Sequence, residues 1–359
     1  MPFPSLIQLK FHLAADGPLQ QKKGHADGLT QPLLVPQSGN QEPNALLLYN
    51  RRTFRSGFNC VNTFEFYRLR WSFQALGRLL FPAGRSGNVV RGAFGLLLRQ
   101  TASRDVYARL FEPGRAGGRP SGLKDWPRPF VFRIAAVDGR EIAPGEDFHI
   151  DMHVFDCRPE LTGAIRAAFE QLAETGLGPG RGRAALSRVE QIGEDETAWE
   201  MTGQPGPPSV VSLDAEPGDR SARRVRLRFL TPTELKGGNG LGAGPRGGPE
   251  FGVLFARLRD RISTLRALYG AGPLEIDFRG LGARARAVTL LSSDINWTSA
   301  RRHSSRTGQS HPLGGFTGEA EYAGELGEFL PWLRAARWTG VGRQTVWGKG
   351  DMRVLATGE

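Results

Sequence analysis

Five side chains suited to phosphate chemistry crowd into one stretch, WTSARRHSSRTGQSHPLGGF: Arg301, Arg302, His303, Arg306 and His311. No acidic residue falls between Ile295 and Gly318. Histidine titrates near neutrality, so it can take or give a proton. Arginine brings a permanent charge and a fork of N–H donors that matches phosphate oxygens. His303 sits among three arginines and two serines. Such a positive field would lower its pKa and keep it neutral, as a general base requires. The plain alternative is a loop histidine touching solvent.

A second stretch lies close behind. Gly340, Gly342, Gly348 and Gly350 surround Arg343, Gln344, Trp347 and Lys349. Glycine lets backbone approach a ligand closely, and interleaved cations and amides make an anion seat. Two nucleotide motifs fail on spacing. A P-loop needs Gly-x-x-x-x-Gly-Lys and then Ser or Thr; here position 343 is Arg and Gly350 follows Lys349. A dinucleotide fingerprint should open a helix after a strand, whereas this loop follows a helix. What remains is a phosphate-backbone seat formed by Gly342, Arg343, Gly348 and Lys349, or a glycine hairpin packed on a sheet. A third pattern, His149-x-Asp151-x-His153 on a strand, has metal-ligand types. With no Cys/His cluster nearby it reads as a polar strand face, and no metal is expected.

The elements that must position these residues follow from periodicity. In FYRLRWSF, Tyr67, Leu69, Trp71 and Phe73 alternate with Arg68, Arg70 and Ser72, which predicts a half-buried strand with a basic outer face. A turn at Pro82–Gly87 leads to a helix burying Val90, Phe94, Leu97 and Leu98. From Phe66 to Arg104 there are seven arginines and no carboxylate, including Arg85 and Arg91. Charged surfaces normally mix signs, so this run points to a phosphate-facing surface. Two strands around Asp138-Gly139, a helix over Leu161–Ala173 and a strand after the GLGPGRGR turn complete the order β, α, β, β, α, β. The device then repeats. Val225, Leu227 and Phe229 alternate with Arg226 and Arg228, and a helix runs from Pro249 to Tyr269. Strands are expected at Ala285–Leu291 and Trp297–Arg301, a helix at 323–334 and a strand at 351–355. Two tandem ferredoxin-like βαββαβ units make an α+β fold. The expected boundaries are 1–62 for a loosely structured extension, 63–200 for the first unit, 201–222 for a linker or edge strand and 223–359 for the second.

Composition agrees with an acidic partner. The chain has 359 residues and a formal net charge of +11, which favours nucleic acid over other anions. Two cysteines, Cys60 and Cys157, suggest neither a zinc ribbon nor a disulfide framework. The N-terminal stretch is a poor signal peptide, and no run reaches transmembrane length. A soluble, cytoplasmic protein with no membrane partner and no small-molecule cofactor is expected. Because ferredoxin-like sheets include the common RNA-recognition module, RNA is the preferred acid.

From Phe64 to Val354 the chain resembles the RAMP-superfamily endoribonucleases that process CRISPR precursor RNA, the Cas6-like family. The resemblance is carried by Pro82-Ala83-Gly84 through Gly95, Leu110-Phe111-Glu112-Pro113, Arg128-Pro129-Phe130 and Leu230-Thr231-Pro232. Trp297 through Arg306, Pro312 through Phe316 with Gly318, Tyr322-Ala323-Gly324 and the loop Gly340–Gly350 carry it further. It implies metal-independent cleavage at a repeat stem-loop. The RNA's own 2′-OH attacks the adjacent phosphate and leaves a 2′,3′-cyclic phosphate and a 5′-OH. Many relatives keep a catalytic histidine near the first helix of the N-terminal half, and none lies between Phe64 and Arg104 here. Candidate catalytic residues are therefore His303, His311 and Arg302. Candidate RNA ligands are Arg85, Arg91, Arg301, Arg306, Gly342, Arg343, Gly348 and Lys349. Expected partners are CRISPR repeat RNA or its mature form, and other subunits of an effector complex. The rival reading is a non-cleaving RNA-binding subunit of the same superfamily.

Overall fold

A computed structural model describes residues 62–113, 126–235, 247–298, 301–303, 310–312 and 314–358, with the backbone alone for 301–303 and 310–312. The expected extension, apart from residue 62, lies outside the described residues.

Strand β1 (Thr63–Ala75) is the alternating segment, and it opens the first half. Leu69, Trp71 and Phe73 point into the core, while Arg68, Arg70 and Ser72 take the other face. After the short β2 (Leu79–Leu80), Gly84 turns the chain at φ +68°, a value glycine adopts without strain. Helix α1 (Ser86–Thr101) follows and buries Val90, Phe94, Leu97 and Leu98 on one stripe. Helix α2 (Arg104–Phe111) is capped by Ser103, whose hydroxyl accepts from the Val106 amide. Next come β3 (Phe130–Arg133), β4 (Glu141–Ile142), β5 (Asp147–Val154), α3 (Pro159–Glu170), α4 (Leu172–Thr175) and β6 (Ala184–Ile192). The strands β7 (Ala198–Glu200) and β8 (Ser209–Ser212) lie in the segment read as linker or edge. There β7 extends the sheet beside β6, and β8 pairs with the start of β1.

The second half repeats this order. It comprises β9 (Arg224–Thr233), α5 (Phe251–Tyr269), α6 (Phe278–Ala287), β10 (Thr289–Thr298), a hairpin of β11 (Arg301–His303) and β12 (Ser310–Pro312), β13 (Gly315–Ala323), α7 (Leu330–Thr339) and β14 (Met352–Gly358). The first sheet runs β3-β5-β1-β6-β7 and the second β10-β13-β9-β14. Numbering each half's strands from its first, the shared core order is 2-3-1-4 twice, with antiparallel neighbours throughout. This is the tandem ferredoxin-like arrangement.

Two local expectations change. Ala285–Ala287 closes α6 and is not strand, and the two expected strands are one, β10, with the hairpin beyond it. Asp277 explains the helix: its carboxylate caps the Gly280 amide at 2.8 Å. The last helix starts later, at Leu330, where Pro331 occupies the first turn, which needs no amide donor.

Each sheet is covered by its helices over an aromatic core. Phe94 stacks on Phe169 at 5.2 Å and meets Phe132 edge-on at 5.5 Å. Phe255 and Phe329 meet at 4.6 Å in the second half. Each such fully buried ring contributes roughly 1.5–3 kcal/mol.

Candidate nucleic-acid interface

The glycine loop after α7 is a joint between the halves. Val346 packs into the core of the first half. A Cβ on Gly87 of α1 would sit 1.9 Å from the Trp347 carbonyl oxygen, and one on Gly348 would sit 2.8 Å from Ile134 Cγ1. Gly87 is therefore required by backbone-to-backbone packing and Gly348 by its closeness to the Ile134 side chain. Gly342 (φ +81°) lies against the Glu234 carbonyl. Arg343 is paired with the Glu234 carboxylate at 2.6 Å. Arg91 lies over the rings of Phe111 and Trp347 at 5.0 and 5.6 Å, so its stem and charge serve the joint.

The joint continues under the open face of the first sheet. An α-helix leaves its last carbonyls without helical partners. Those of α7 are met by donors from three other elements. Arg133 of β3 donates to Arg337 O at 2.7 Å, Arg261 of α5 donates to Thr339 O at 2.7 Å, and His153 Nδ1 lies 2.8 Å from Trp338 O. A carbonyl only accepts, so Nδ1 carries the hydrogen. Burial, with Arg133 next, holds His153 well below its ordinary pKa and therefore neutral. Asp151 accepts from Nε and Nη2 of Arg70, at 2.7 and 2.9 Å. His149, Asp151 and His153 thus form a polar strand face. Among the described residues no group of three or more His, Cys, Asp or Glu side chains gathers to hold a metal.

Beside the joint lies a cleft lined by Arg85, Asn88, Asp138, Pro232, Trp347 and Lys349. Arg85 is exposed at the N-terminus of α1, where the helix dipole adds positive potential. Lys349 is 94% buried, with Nζ 3.4 Å from the carbonyl oxygen of Gly314. Burial pushes its ammonium down to about 8, and Glu234 nearby works in the opposite sense. Asp138 is occupied by the Gly84 amide, at 3.0 and 3.1 Å from its two oxygens.

The arm that carries the histidines leaves the sheet at this place. Its root is the pair Thr298–Gly315, and Gly315 packs against Pro232 and Thr233. Beyond the root, β11 and β12 pair Arg301 with Pro312, Arg302 with His311 and His303 with Ser310. Arg306 lies outside the described residues. Three segments far apart in sequence therefore meet: the start of α1 with Arg85, the root of the arm, and the loop with Lys349. Of the residues that sequence reasoning passed over, Trp297 is the clearest. It is exposed just before the root and meets Phe316 edge-on at 5.2 Å. Its position in an alternating strand gave no sign that the helices stop short of covering it. Tyr322, one of the residues that carry the resemblance, is buried and donates to Pro249 O at 2.9 Å. Among the described residues, no helix is long and apolar enough to cross a membrane.

Residues 227–352 match the family described as CRISPR-associated endoribonuclease Cas6. Residues 64–208 match a family described as an N-terminal domain. No curated protein matches the chain. Among solved structures, a partial Cas6-RT-Cas1–Cas2 complex aligns over 84% of this chain and 48% of its own, at 11% identity and a TM-score of 0.53. A Cas6 product complex aligns over 81% and 99%, at 19% identity and a TM-score of 0.47. A Thermus thermophilus Cas6 aligns over 81% and 98%, at 18% identity and a TM-score of 0.44. The Cas6 match takes in most of the first strand of the second half, the arm and the glycine loop.

Proposed function

We propose that the protein is an endoribonuclease that cuts CRISPR precursor RNA at repeat stem-loops. The observation that carries this reading is the meeting of Arg85, the arm root and Lys349 at one cleft, inside a fold whose second half matches Cas6. A base in the arm, His303 with His311 as the alternative, takes the proton of the 2′-OH. The 2′-oxygen attacks the adjacent phosphorus without a metal ion. A 2′,3′-cyclic phosphate and a 5′-OH result. Arg302, with Arg301 and Arg306, supplies charge to the phosphorane. Arg85 and the loop hold the flanking backbone, and Trp297 offers a face on which a base can stack. The mature RNA then passes to other CRISPR effector subunits in the cytoplasm.

One observation favours a second reading. Among the described residues no histidine side chain lines the cleft, since His149 and His153 belong to the sheet face. A non-cleaving subunit that binds guide RNA would have that property. Labelled repeat RNA from the same genome, incubated with the protein in EDTA, separates the two. A single cut, abolished by one 2′-deoxy substitution, supports the nuclease. Tight binding that depends on the stem but yields no cut establishes the binding subunit and removes the role given to His303.

A further inference from the structure

The proposed cut must protonate the departing 5′-oxygen, and few groups at the cleft can do so. Arginine keeps its proton at any ordinary pH, so Arg85 can bind phosphate but not act as an acid. Asp138 has both oxygens held by the Gly84 amide. Lys349 differs from both. Its side chain is enclosed by the joint, yet it lines the cleft. Its one hydrogen bond among the described residues, to Gly314 O, is long at 3.4 Å, and an ammonium carries three donors, so two remain for a substrate. Glu234, the carboxylate that acts on its charge, is paired through Oε1 with Arg343 at 2.6 Å. Asp351, two residues beyond Lys349, is turned to Arg353 at 3.1 Å and to Arg133 at 3.9 Å.

We propose that Lys349 is the general acid of this site, a role that rests on the nuclease reading above. The bonds and protons balance. The arm base takes the 2′-OH proton, the 2′-oxygen–phosphorus bond forms and the phosphorus–5′-oxygen bond breaks. The 5′-oxygen takes a proton from the Lys349 ammonium, which becomes a neutral amine and is reprotonated by water. No redox change and no further reactant is involved. Enclosure makes the residue suitable, because an ammonium depressed to about 8 is mostly charged at neutral pH but gives its proton readily. The loop also fixes it from both sides. Gly348 before it is wedged on Ile134, and Gly350 after it is wedged on the Val341 carbonyl. An acid so held needs little reorganisation at the moment of reaction.

The test compares two repeat RNAs with the full-length protein, one ordinary and one with sulfur replacing the 5′-bridging oxygen at the cut. A thiolate leaves without being protonated, so the sulfur RNA needs no acid. Lys349→Arg keeps the charge, and Lys349→Met removes it. On ordinary RNA both variants should cut about 100-fold slower in single turnover, the usual scale of acid catalysis. On sulfur RNA both should cut at close to the wild-type rate, which also shows that they are folded. The wild-type rate on ordinary RNA should fall above about pH 8, as the ammonium is lost, and this fall should vanish with sulfur. Lys349→Arg cutting ordinary RNA at the wild-type rate overturns the proposal and leaves the nuclease standing. Equal slowing on both RNAs overturns it too, by showing that Lys349 only holds the loop. A wild-type protein that cuts neither RNA ends both readings together.

Discussion

Of the three Arg-Leu-Arg tripeptides one lies in α5, at 257–259; the other two, at 68–70 and 226–228, each lie on the first strand of a sheet with the same core order. Both leucines are fully buried. The arginines share a pattern but not an environment. The Arg68 and Arg70 side chains are 13% and 31% exposed, those of Arg226 and Arg228 53% and 49%. Arg68 reaches Glu196 at 2.6 Å and lies 5.7 Å from the ring centre of Trp338. Arg226 pairs with Glu321, its cross-strand neighbour, at 3.8 Å. Alternation along a strand decides which face a side chain takes. What lies over that face depends on a segment more than a hundred residues away. In the first half the end of α7 covers it, and in the second nothing among the described residues does. The covered arginines hold the joint, whereas Arg85 stays exposed at the start of α1.

The strongest way to break this contrast is to prise the cover off. Gly87→Ala places a methyl 1.9 Å from the Trp347 carbonyl, a backbone clash that no side-chain rotation relieves. It should cost about 3 kcal/mol or more in urea unfolding. Gly92→Ala, on the same helix with nothing within 4 Å of the new methyl, should instead gain about 0.5–1 kcal/mol from helix propensity. If Gly87→Ala unfolds at the wild-type midpoint, α1 and the loop are not closed on each other as described.

The arginine pair itself gives the next effect. Arg68→Ala removes a charged hydrogen bond and the contact with Trp338. It should cost about 1.5–3 kcal/mol. Arg226→Ala removes an exposed pair and should cost less than about 1 kcal/mol. Equal costs in chemical denaturation would mean that the cover over Arg68 contributes nothing.

The elements of both halves were legible because each strand and helix buries its own apolar stripe. Leu69-Trp71-Phe73 and Phe251-Leu254-Phe255-Leu258 announce their periods without reference to any partner. The exceptions were local contests. Ala285–Ala287 could join the following apolar strand, and only the Asp277 cap shows that it ends a helix. The meeting of Arg85 with Lys349 was not legible, since it depends on how one half seats on the other. The glycines were legible as sites of close approach. What they approach, the carbonyls of Glu234 and Trp347 and the side chain of Ile134, could only come from the fold.

A last, smaller effect separates the covered part of one strand from its open part. His153 and His149 both belong to the outer face of β5. His153 lies under α7 with Arg133, Arg68 and Arg353 around it, and burial first and these charges second keep it neutral. His149 is half-buried beside Arg70, and burial lowers its pKa less severely. When the chain unfolds, each histidine regains an ordinary pKa near 6.5 and takes up a proton below it. The unfolded state then binds more protons than the folded one, so stability falls as pH drops below about 6.5. For His153 the loss approaches about 1.4 kcal/mol per pH unit, the full value for one proton, until the folded pKa is reached. His153→Asn keeps a donor where Nδ1 was but cannot titrate. The difference between this variant and wild type should therefore narrow, and then reverse in favour of asparagine, as pH is lowered from 7.5 to 5. His149→Asn should shift the same curve much less. Because carboxylates elsewhere titrate alike in all three proteins, their contribution cancels in the differences. Parallel curves for wild type and His153→Asn would mean that the imidazole keeps its unfolded pKa under α7, and a wild type that gains on the variant as pH falls would mean that it is charged there, which the arginines around it would oppose.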